Sequence, residues 1–262
     1  MQNKYQIIFV DLDWTLLNHR THDFDYESIK ALNKAHDRGI SVFICTARPY
    51  QSLELTGILN HLKVDGLVTT NGAVVIFNDQ VIYSKNFKKE DLLKIIEVSH
   101  KHGFTLELAS EKDRFFTKSG DNEYVESFFK IFAEKKPEIR NYTDENISEV
   151  LLFSPEEYDS ILLKEYPKGI NIYRFFPSAS DLNYSPTNKD EGIKKALKYL
   201  KISKRKAIGI GDDIGDIPMF KAVNLSIAMG NAKEKAKKKA KFTTKNIDES
   251  GVKYALEYFK II

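Results

Sequence analysis

The sequence has few of the residues that mark disulfide-rich, membrane or fibrous proteins. Its single cysteine, Cys45, excludes an intramolecular disulfide framework and is typical of a reducing compartment. The first apolar run, residues 7–10, is far too short for a signal peptide or a membrane span. There is no repeat at solenoid spacing and no long polar low-complexity stretch. We therefore expect a cytoplasmic globular protein with no membrane partner.

The chain also lacks an excess of charge of one sign. Its 40 basic and 37 acidic residues leave a formal net charge of +3 over 262 residues. The one strong local bias is the lysine-rich segment 233–241, which a nucleic-acid-binding arm would explain. However, Ala232, Ala236 and Ala240 recur every four residues, which predicts a helix with a small apolar face and a solvated lysine face. We favour the helix and expect no nucleic-acid partner.

Hydrophobic residues make up 42% of the chain, enough for a substantial buried core. The first third alternates apolar, strand-like runs with helical periodicity, which is typical of a parallel sheet wound by helices. We predict an α/β fold with a doubly wound, Rossmann-like parallel sheet as its core. The predicted elements are strands at residues 5–10, 40–45 and 66–70 and helices at residues 26–38 and 50–62.

The pattern changes in the middle of the chain. The turn dipeptide Asn78-Asp79 suggests a hairpin, and the elements that follow it mix helices and strands without the simple alternation. Such an order is typical of an α+β module. The alternation returns from Asp190 onwards. We therefore predict a core domain formed by residues 1–82 and 185–262, interrupted by an inserted α+β cap domain at residues 83–184.

Two aspartates follow the first predicted strand. Side chains alternate along an extended segment, so Asp11 and the backbone carbonyl of Asp13 could face one cation at the carboxyl edge of the sheet, where ligands bind in this fold class. An ionised aspartate can attack phosphorus, and a second carboxylic acid can protonate the leaving oxygen. Aspartate also suits turns and caps, so this pair alone is compatible with a structural role.

Two further segments fall at the same predicted edge. Thr46 and Ala47 follow the second strand and offer a hydroxyl and backbone amides to a phosphate, although Thr46 would also serve as a helix cap. Lys189 precedes the helix that follows the insertion. A lysine there would reduce the repulsion between a phosphate and an attacking carboxylate. Cys45 is a buried core residue in this interpretation, not a nucleophile.

The loop from Gly209 to Asp216 follows a later buried strand and carries three aspartates within five residues. Carboxylates so close together are costly unless they are solvated or bound to a cation. The glycines resemble a dinucleotide-binding loop, but Asp212, Asp213 and Asp216 would repel a pyrophosphate and the spacing differs. Metal binding is therefore the better interpretation of this loop.

Taken together, these residues resemble the haloacid dehalogenase-like (HAD) phosphatases, in particular the Cof-type branch (subfamily IIB) with a large α/β cap. The segments that carry the resemblance are DLDWTLL, CTAR, TTNGA, Lys189, GDDIGD and AMGNAKEKAK followed by ESGVKYALEYF. The resemblance implies Asp11 as nucleophile and Asp13 as general acid and base. It also implies phosphate binding by Thr46, Ala47 and Lys189, and a Mg²⁺ ion held by Asp11, the Asp13 carbonyl and Asp212, with Asp216 in support.

The chain departs from the family pattern at two positions. Trp14 stands where the family usually has glycine, and Gly215 stands where it usually has asparagine. The second departure removes a side chain that the family directs to phosphate or to the metal's water. It keeps open the alternative that the chain is a non-catalytic, regulatory protein that binds a phosphometabolite. A phosphomutase is a further alternative, although those enzymes usually carry a smaller helical cap.

The resemblance also implies that the cap selects the substrate, which in this branch is often a sugar phosphate or another small phosphorylated metabolite. Asn71, Arg114 and Arg174 are candidate substrate contacts. For the arginines we favour the alternative that the neighbouring phenylalanines form the cap core and the arginines lie at the surface. The resulting prediction is a Mg²⁺-dependent phosphatase that acts on a small phosphorylated metabolite through an aspartyl-phosphate intermediate, as a monomer or weak homodimer.

Overall fold

The computed structural model describes residues 4–111, 113–132, 135–184 and 188–262. By its internal contacts the chain divides into two compact units, one formed by Met1–Arg48, Thr56–Ser84 and Asn188–Ile262 and the other by Pro49–Leu55 and Lys85–Thr187. The second boundary of the predicted cap falls at residues 185–187, which lie outside the described residues. Within the described ranges, no helix is long and apolar enough to cross a membrane.

The first unit contains the main sheet and the helices around it. Its strands are β1 (Ile7–Val10), β2 (Leu17–Asn18), β3 (Asp23–Phe24), β4 (Ser41–Cys45), β5 (Gly66–Thr69), β6 (Val74–Phe77), β7 (Gln80–Ser84), β13 (Ala207–Gly211), β14 (Leu225–Ala228) and β15 (Phe242–Thr243). Its helices are α1 (Tyr26–Asp37), α6 (Lys189–Tyr199), α7 (Ile217–Ala222), α8 (Glu234–Lys237) and α9 (Gly251–Tyr258).

Among the described residues the main sheet has eight strands in the order β15-β14-β13-β1-β4-β5-β6-β7. The pairs from β15 to β5 are parallel, and the hairpin β6-β7 adds two antiparallel strands at one edge. All four residues of β1 are buried, which is the pattern of a central parallel strand covered on both faces. Helices α1 and α9 pack together, as do α6 and α7. The predicted α/β fold is confirmed, with a doubly wound, mostly parallel core sheet.

The second unit is built on a sheet whose strand pairs, as far as its described residues go, are all antiparallel. Its elements are the strands β8 (Thr105–Ser110), β9 (Arg114–Phe116), β10 (Ile147–Phe153), β11 (Ile170–Phe176) and β12 (Ala179–Tyr184) and the helices α2 (Tyr50–Leu55), α3 (Lys89–Lys101), α4 (Glu123–Phe132) and α5 (Asp159–Glu165). The strand order is β11-β12-β10-β8-β9. Alternate residues of β10 belong to separate buried clusters: Val150 to one, Leu151 and Phe153 to the other. Both faces of this sheet are therefore covered.

Two predicted helices are shorter in the structure. The helix expected at residues 50–62 ends at Leu55, and Gly57, with a left-handed φ of 78°, precedes a separate 3₁₀ turn at Ile58–Asn60. The lysine-rich segment forms one helical turn, Glu234–Lys237, rather than a helix over residues 233–241. Ala232 and Ala236 are buried as the four-residue spacing predicts.

Candidate active site

The strand order places the candidate site at the carboxyl ends of β1 and β13. From β1 the chain proceeds to β4 and β5 on one side, and from β13 it proceeds to β14 and β15 on the other. The polar segments that follow two adjacent parallel strands therefore diverge and leave a crevice, which is where open α/β sheets bind ligands. Asp11 follows β1 directly, and its backbone N–H continues the sheet ladder to the carbonyl of Ile210 at 2.9 Å.

Lys189 forms hydrogen bonds to two aspartates, one that follows β1 and one in the loop after β13. Its Nζ atom lies 2.6 Å from Oδ1 of Asp11 and 2.6 Å from Oδ1 of Asp216. All three side chains are buried, so these charge-assisted hydrogen bonds are protected from water. Lys189 is the first residue of α6, and the side chain of Asn188 caps the helix by accepting from the N–H of Asp190 at 3.0 Å.

Asp216 fixes the acidic loop after β13. Its Oδ2 atom accepts the backbone N–H groups of Asp212 at 2.8 Å and Asp213 at 3.0 Å. A Cβ at Gly211 would lie 2.4 Å from the Asp216 carboxyl carbon, so only glycine leaves room for this arrangement. By contrast, a Cβ at Gly215 would have no atom within 4 Å.

Three carboxylates converge beside Lys189. Ligand oxygens of Asp11, Asp212 and Asp216 lie within 4.8 Å of one another, and all three residues are buried. Asp212 also accepts a hydrogen bond from the Thr15 hydroxyl at 3.2 Å. The positive charge of Lys189 alone does not neutralise three buried carboxylates. A set of oxygen ligands suits a hard divalent cation such as Mg²⁺. The residues present therefore fit the cation that the sequence predicts.

Burial sets the protonation of these groups. Burial, together with the charges of Asp216 and Asp13, raises the pKa of Asp11 to about 8 against the opposing effect of Lys189. Burial, together with the charges of Asp11, Asp216 and Asp213, raises the pKa of Asp212 well above its ordinary value. For Lys189 burial disfavours the charge, but Asp11 and Asp216 outweigh it and hold the lysine pKa well above its usual range.

Asp13 sits in a different environment, beside the guanidinium of Arg48 and the imidazole of His19. Arg48 donates from Nη2 to Oδ1 at 2.8 Å and from Nε to Oδ2 at 2.9 Å, and Nε2 of His19 lies 2.6 Å from Oδ1. Burial acts to raise the pKa of Asp13, but Arg48 and His19 outweigh it and hold that pKa below its ordinary value. The two aspartates of the DLD motif are thus held in opposite electrostatic environments, which raise the pKa of Asp11 and lower that of Asp13.

The remaining predicted site residues of the first unit lie on the loops after β4 and β5. The Thr46 side chain is fully buried and its hydroxyl accepts the N–H of Arg48 at 3.1 Å, whereas Ala47 is exposed. Asn71 has a left-handed backbone, with φ of 51°, and its N–H donates to the Thr46 carbonyl at 3.2 Å. Asn71 is thereby tied to the loop that carries Thr46.

Arg114 and Arg174 lie in internal ion pairs of the second unit. Arg114 is buried and donates a hydrogen bond to Glu107 at 3.2 Å. Arg174 donates to the Asp159 carboxylate from two of its nitrogens and to the Ser154 carbonyl from the third, at 2.9 Å. Phe115 and Phe116 are core residues, whereas Phe175 is exposed. The surface position that we favoured for the arginines is wrong for Arg114, because Glu107 balances its charge inside the unit. A substrate contact by either arginine stays a prediction.

Three residues of this site were not identified from the sequence. Arg48 and His19 bind Asp13, and the Asn231 side chain donates to the Trp14 carbonyl at 2.8 Å and accepts the N–H of Ile247 at 2.9 Å. Arg48 and Asn231 lie inside segments that carry the family resemblance, CTAR and AMGNA. Their position in these segments is the sequence signal that could have identified them. His19 lies in a hairpin of two-residue strands, which leaves no periodic signal in the sequence.

This arrangement has counterparts among known proteins. Residues 8–256 match the model of the haloacid dehalogenase-like hydrolase family. The chain belongs to this family. The match spans both compact units and every candidate site residue.

Individual relatives of this hydrolase are phosphatases. The 5-amino-6-(5-phospho-D-ribitylamino)uracil phosphatase YcsE of Bacillus subtilis strain 168 is 28% identical over 262 residues, covering 97% of this chain and 95% of its own. The HAD subclass IIB sugar phosphatase BT4131 is 27% identical, with a TM-score of 0.83 over 98% of this chain and 100% of its own. A hypothetical protein from Geobacillus kaustophilus HTA426 is also 27% identical, with a TM-score of 0.90 and the same coverage. The chain is therefore a HAD-like hydrolase of the phosphatase type, as the motifs predict.

Proposed function

We propose that this hydrolase is a Mg²⁺-dependent phosphatase that cleaves a sugar phosphate or a similar small phosphorylated metabolite through an aspartyl-phosphate on Asp11. The observation that carries the proposal is the buried group of Asp11, Asp212 and Asp216 around Lys189 at the carboxyl edge of the sheet. A structural role alone would favour fewer buried carboxylates, because each is costly to desolvate.

The reaction divides between the two aspartates of the DLD motif. A carboxylate oxygen of Asp11 forms a bond to phosphorus while the bond from phosphorus to the leaving oxygen breaks, and Asp13 supplies the proton that this oxygen takes. Water then attacks the phosphorus of the aspartyl-phosphate, gives a proton to Asp13 and releases Asp11 and inorganic phosphate. Lys189, Thr46 and the backbone at Ala47 bind the phosphoryl oxygens in this proposal.

The cation would be held by Asp11, Asp212 and the Asp13 carbonyl, with Asp216 ordering the loop. Bound there, Mg²⁺ would offset the charge of the phosphoryl oxygens and keep Asp11 ionised. The hydrogen bonds of Asp216 to the backbone of Asp212 and Asp213 support this division, since they orient the loop that carries Asp212.

The substrate class is supported by relatives whose names specify a sugar phosphatase and a phosphatase of a phosphoribityl compound. We propose that the second unit selects the substrate as a cap, with Asn71 of the first unit as a further substrate contact. The leaving group would then be a hydroxylated carbon chain, whose alkoxide needs a proton when the phosphoryl group departs.

The test is phosphate release from sugar phosphates, nucleotides and 4-nitrophenyl phosphate, with Mg²⁺ and with chelator. We expect Mg²⁺-dependent release that Asp11→Asn abolishes, since the amide keeps the shape and removes the nucleophile. The matched control is Asp79→Asn, at an exposed hairpin turn with φ of 59° that asparagine tolerates. A radiolabelled acyl phosphate that forms in the wild type and not in Asp11→Asn would identify the intermediate. Binding of phosphate esters without turnover by the folded wild type would instead favour the binding-protein alternative.

A further inference from the structure

The imidazole of His19 is buried at a position where the sequence gives no reason to bury it. His19 follows β2 at the turn of a two-strand hairpin, and the next residue, Arg20, has a side chain that is 62% exposed. The His19 side chain is only 6% exposed. The indole of Trp14 covers it, with ring centroids 5.4 Å apart. A polar ring held out of water in a surface hairpin needs a polar partner to offset desolvation.

That partner is the carboxylate of Asp13. The His19 Nε2 atom lies 2.6 Å from Oδ1 of Asp13. Arg48, which follows β4, donates to the same oxygen at 2.8 Å. Arg48 also holds Oδ2 at 2.9 Å. The Asp13 side chain is 27% exposed, so these contacts fix a carboxylate that would otherwise rotate at the edge of the site.

From this geometry we propose that His19 is a positioning residue for Asp13, resting on the proposed function of Asp13 as acid and base. Arg48 holds both carboxylate oxygens from the end of β4, and His19 adds a third contact, to Oδ1, from the hairpin. The hairpin and Trp14 in turn hold the imidazole. Misplacement of an acid by a fraction of an ångström costs most when the leaving group is a strong base, because only such a group needs the proton.

The leaving group therefore provides the test. Phenyl phosphate and 4-nitrophenyl phosphate have nearly the same shape, but phenoxide is the stronger base and needs protonation more. We would measure kcat/KM for both substrates with Mg²⁺, because this parameter reports the steps up to loss of the leaving group. His19→Phe keeps a ring against Trp14 and removes the nitrogen. We expect its kcat/KM for phenyl phosphate to fall about tenfold more than that for 4-nitrophenyl phosphate.

Two further variants separate positioning from simple packing. His19→Gln can place an amide nitrogen near the position of Nε2 and should return the ratio of the two substrates to within about threefold of the wild type. His19→Asn is one methylene shorter and should behave like the phenylalanine variant. These two variants carry the test if His19→Phe does not fold, as judged by thermal melting.

Equal losses for both substrates in His19→Phe and His19→Asn, or a ratio that stays at the wild-type value, would overturn the proposal, since packing alone would affect both substrates alike. A folded wild-type protein that releases phosphate neither from these two esters nor from any sugar phosphate or nucleotide would overturn the proposed function itself, and the inference with it. The two failures are distinguished by the wild-type measurement alone.

Discussion

At the scale of single residues, the site combines buried carboxylates with very few compensating charges. Asp11, Asp212 and Asp216 share one lysine, and the pKa of Asp11 rises to about 8 as a result of burial and its acidic neighbours. A proton and a divalent cation therefore compete for the same oxygens. This competition has a measurable effect on stability.

The first prediction concerns Mg²⁺ and pH. The pKa of Asp11 is raised from 3.8 to about 8, so its protonated form stabilises the metal-free fold fully below pH 3.8, and this contribution is lost as pH rises through about 8. Mg²⁺ supplies the missing positive charge most effectively where the proton has left. We expect Mg²⁺ to raise the melting temperature more at about pH 9 than at about pH 6, measured against chelator. Asp11→Asn should diminish the difference, and an equal rise at both pH values would contradict the argument.

A second prediction concerns Gly215. A Cβ atom there would have no other atom within 4 Å, and the φ angle of Gly215 is not left-handed. Gly215→Ala should therefore stabilise the protein by about 0.4–1 kcal/mol through the unfolded chain. Gly215→Asn should fold equally well and, unlike the alanine variant, raise kcat/KM by restoring an amide beside the acidic loop. Thermal melting and phosphate release measure the two effects, and a lower melting temperature of both variants would show that the space is not open.

At the scale of secondary structure elements, α6 is positioned by a close approach to the loop after β5. A Cβ at Gly72 would lie 2.4 Å from the backbone oxygen of Asn188, and a Cβ at Gly192 would lie 2.8 Å from the Cα of Gly72. The two glycines let the start of α6 pack directly on this loop. Lys189 is thereby placed beside Asp11 by backbone packing rather than by the reach of a flexible side chain.

The third prediction tests this packing with two alanine variants. Gly39 and Gly72 both have left-handed φ, 81° and 92°, but a Cβ at Gly39 meets no atom within 4 Å. Gly39→Ala should cost about 1 kcal/mol of unfolding free energy for backbone strain alone. Gly72→Ala should cost about 2 kcal/mol more and reduce phosphate release at least about tenfold, because Lys189 moves with the helix start. Equal activity of the two variants would show that the close approach does not position Lys189.

The secondary structure elements also show which parts of the fold could be predicted from the sequence. The core strands and the site segments were predictable because each buried strand is followed by its polar residues in chain order, and a parallel sheet gathers those ends at one edge. The approach of Gly72 to Asn188 was not predictable, because it joins residues far apart in the chain. The hairpin β2-β3 and strand β15 were missed because two residues cannot show a period of two. The lysine-rich helix was overextended because its alanine spacing continues past the single turn that forms.

At the scale of the whole molecule, the chain consists of two units that each bury their own core. In the second unit, aromatic rings fill one face of the sheet, where Phe128 contacts Phe129, Phe153 and Phe176 at centroid distances of 5.4–5.7 Å. Buried ion pairs such as Arg114–Glu107 are part of the same unit. Changes inside this unit should therefore affect stability more than the chemistry at the main sheet.

The fourth prediction uses Arg114 to test this separation. Removing one partner of a buried ion pair leaves the other charge uncompensated, so Arg114→Ala should lower the unfolding free energy by about 3 kcal/mol. Because the guanidinium is held by Glu107 and the Lys135 carbonyl, we expect Michaelis constants across the accepted substrates to stay unchanged. Lys164→Ala, in the last turn of α5, is the matched surface control. A selective rise of the Michaelis constant for one substrate would instead assign Arg114 to substrate recognition.

The position of Trp14 has a practical consequence for all of these measurements. It is the only tryptophan of the chain, its ring lies against His19, and Asn231 holds its carbonyl on the loop that carries Asp13. Trp14 is 36% exposed, so the wavelength of its fluorescence emission depends on the local solvent. Tryptophan fluorescence therefore arises at one place, beside Asp13 of the proposed site. The protein carries its own optical probe, with which ion and ligand binding can be titrated without a label and without turnover.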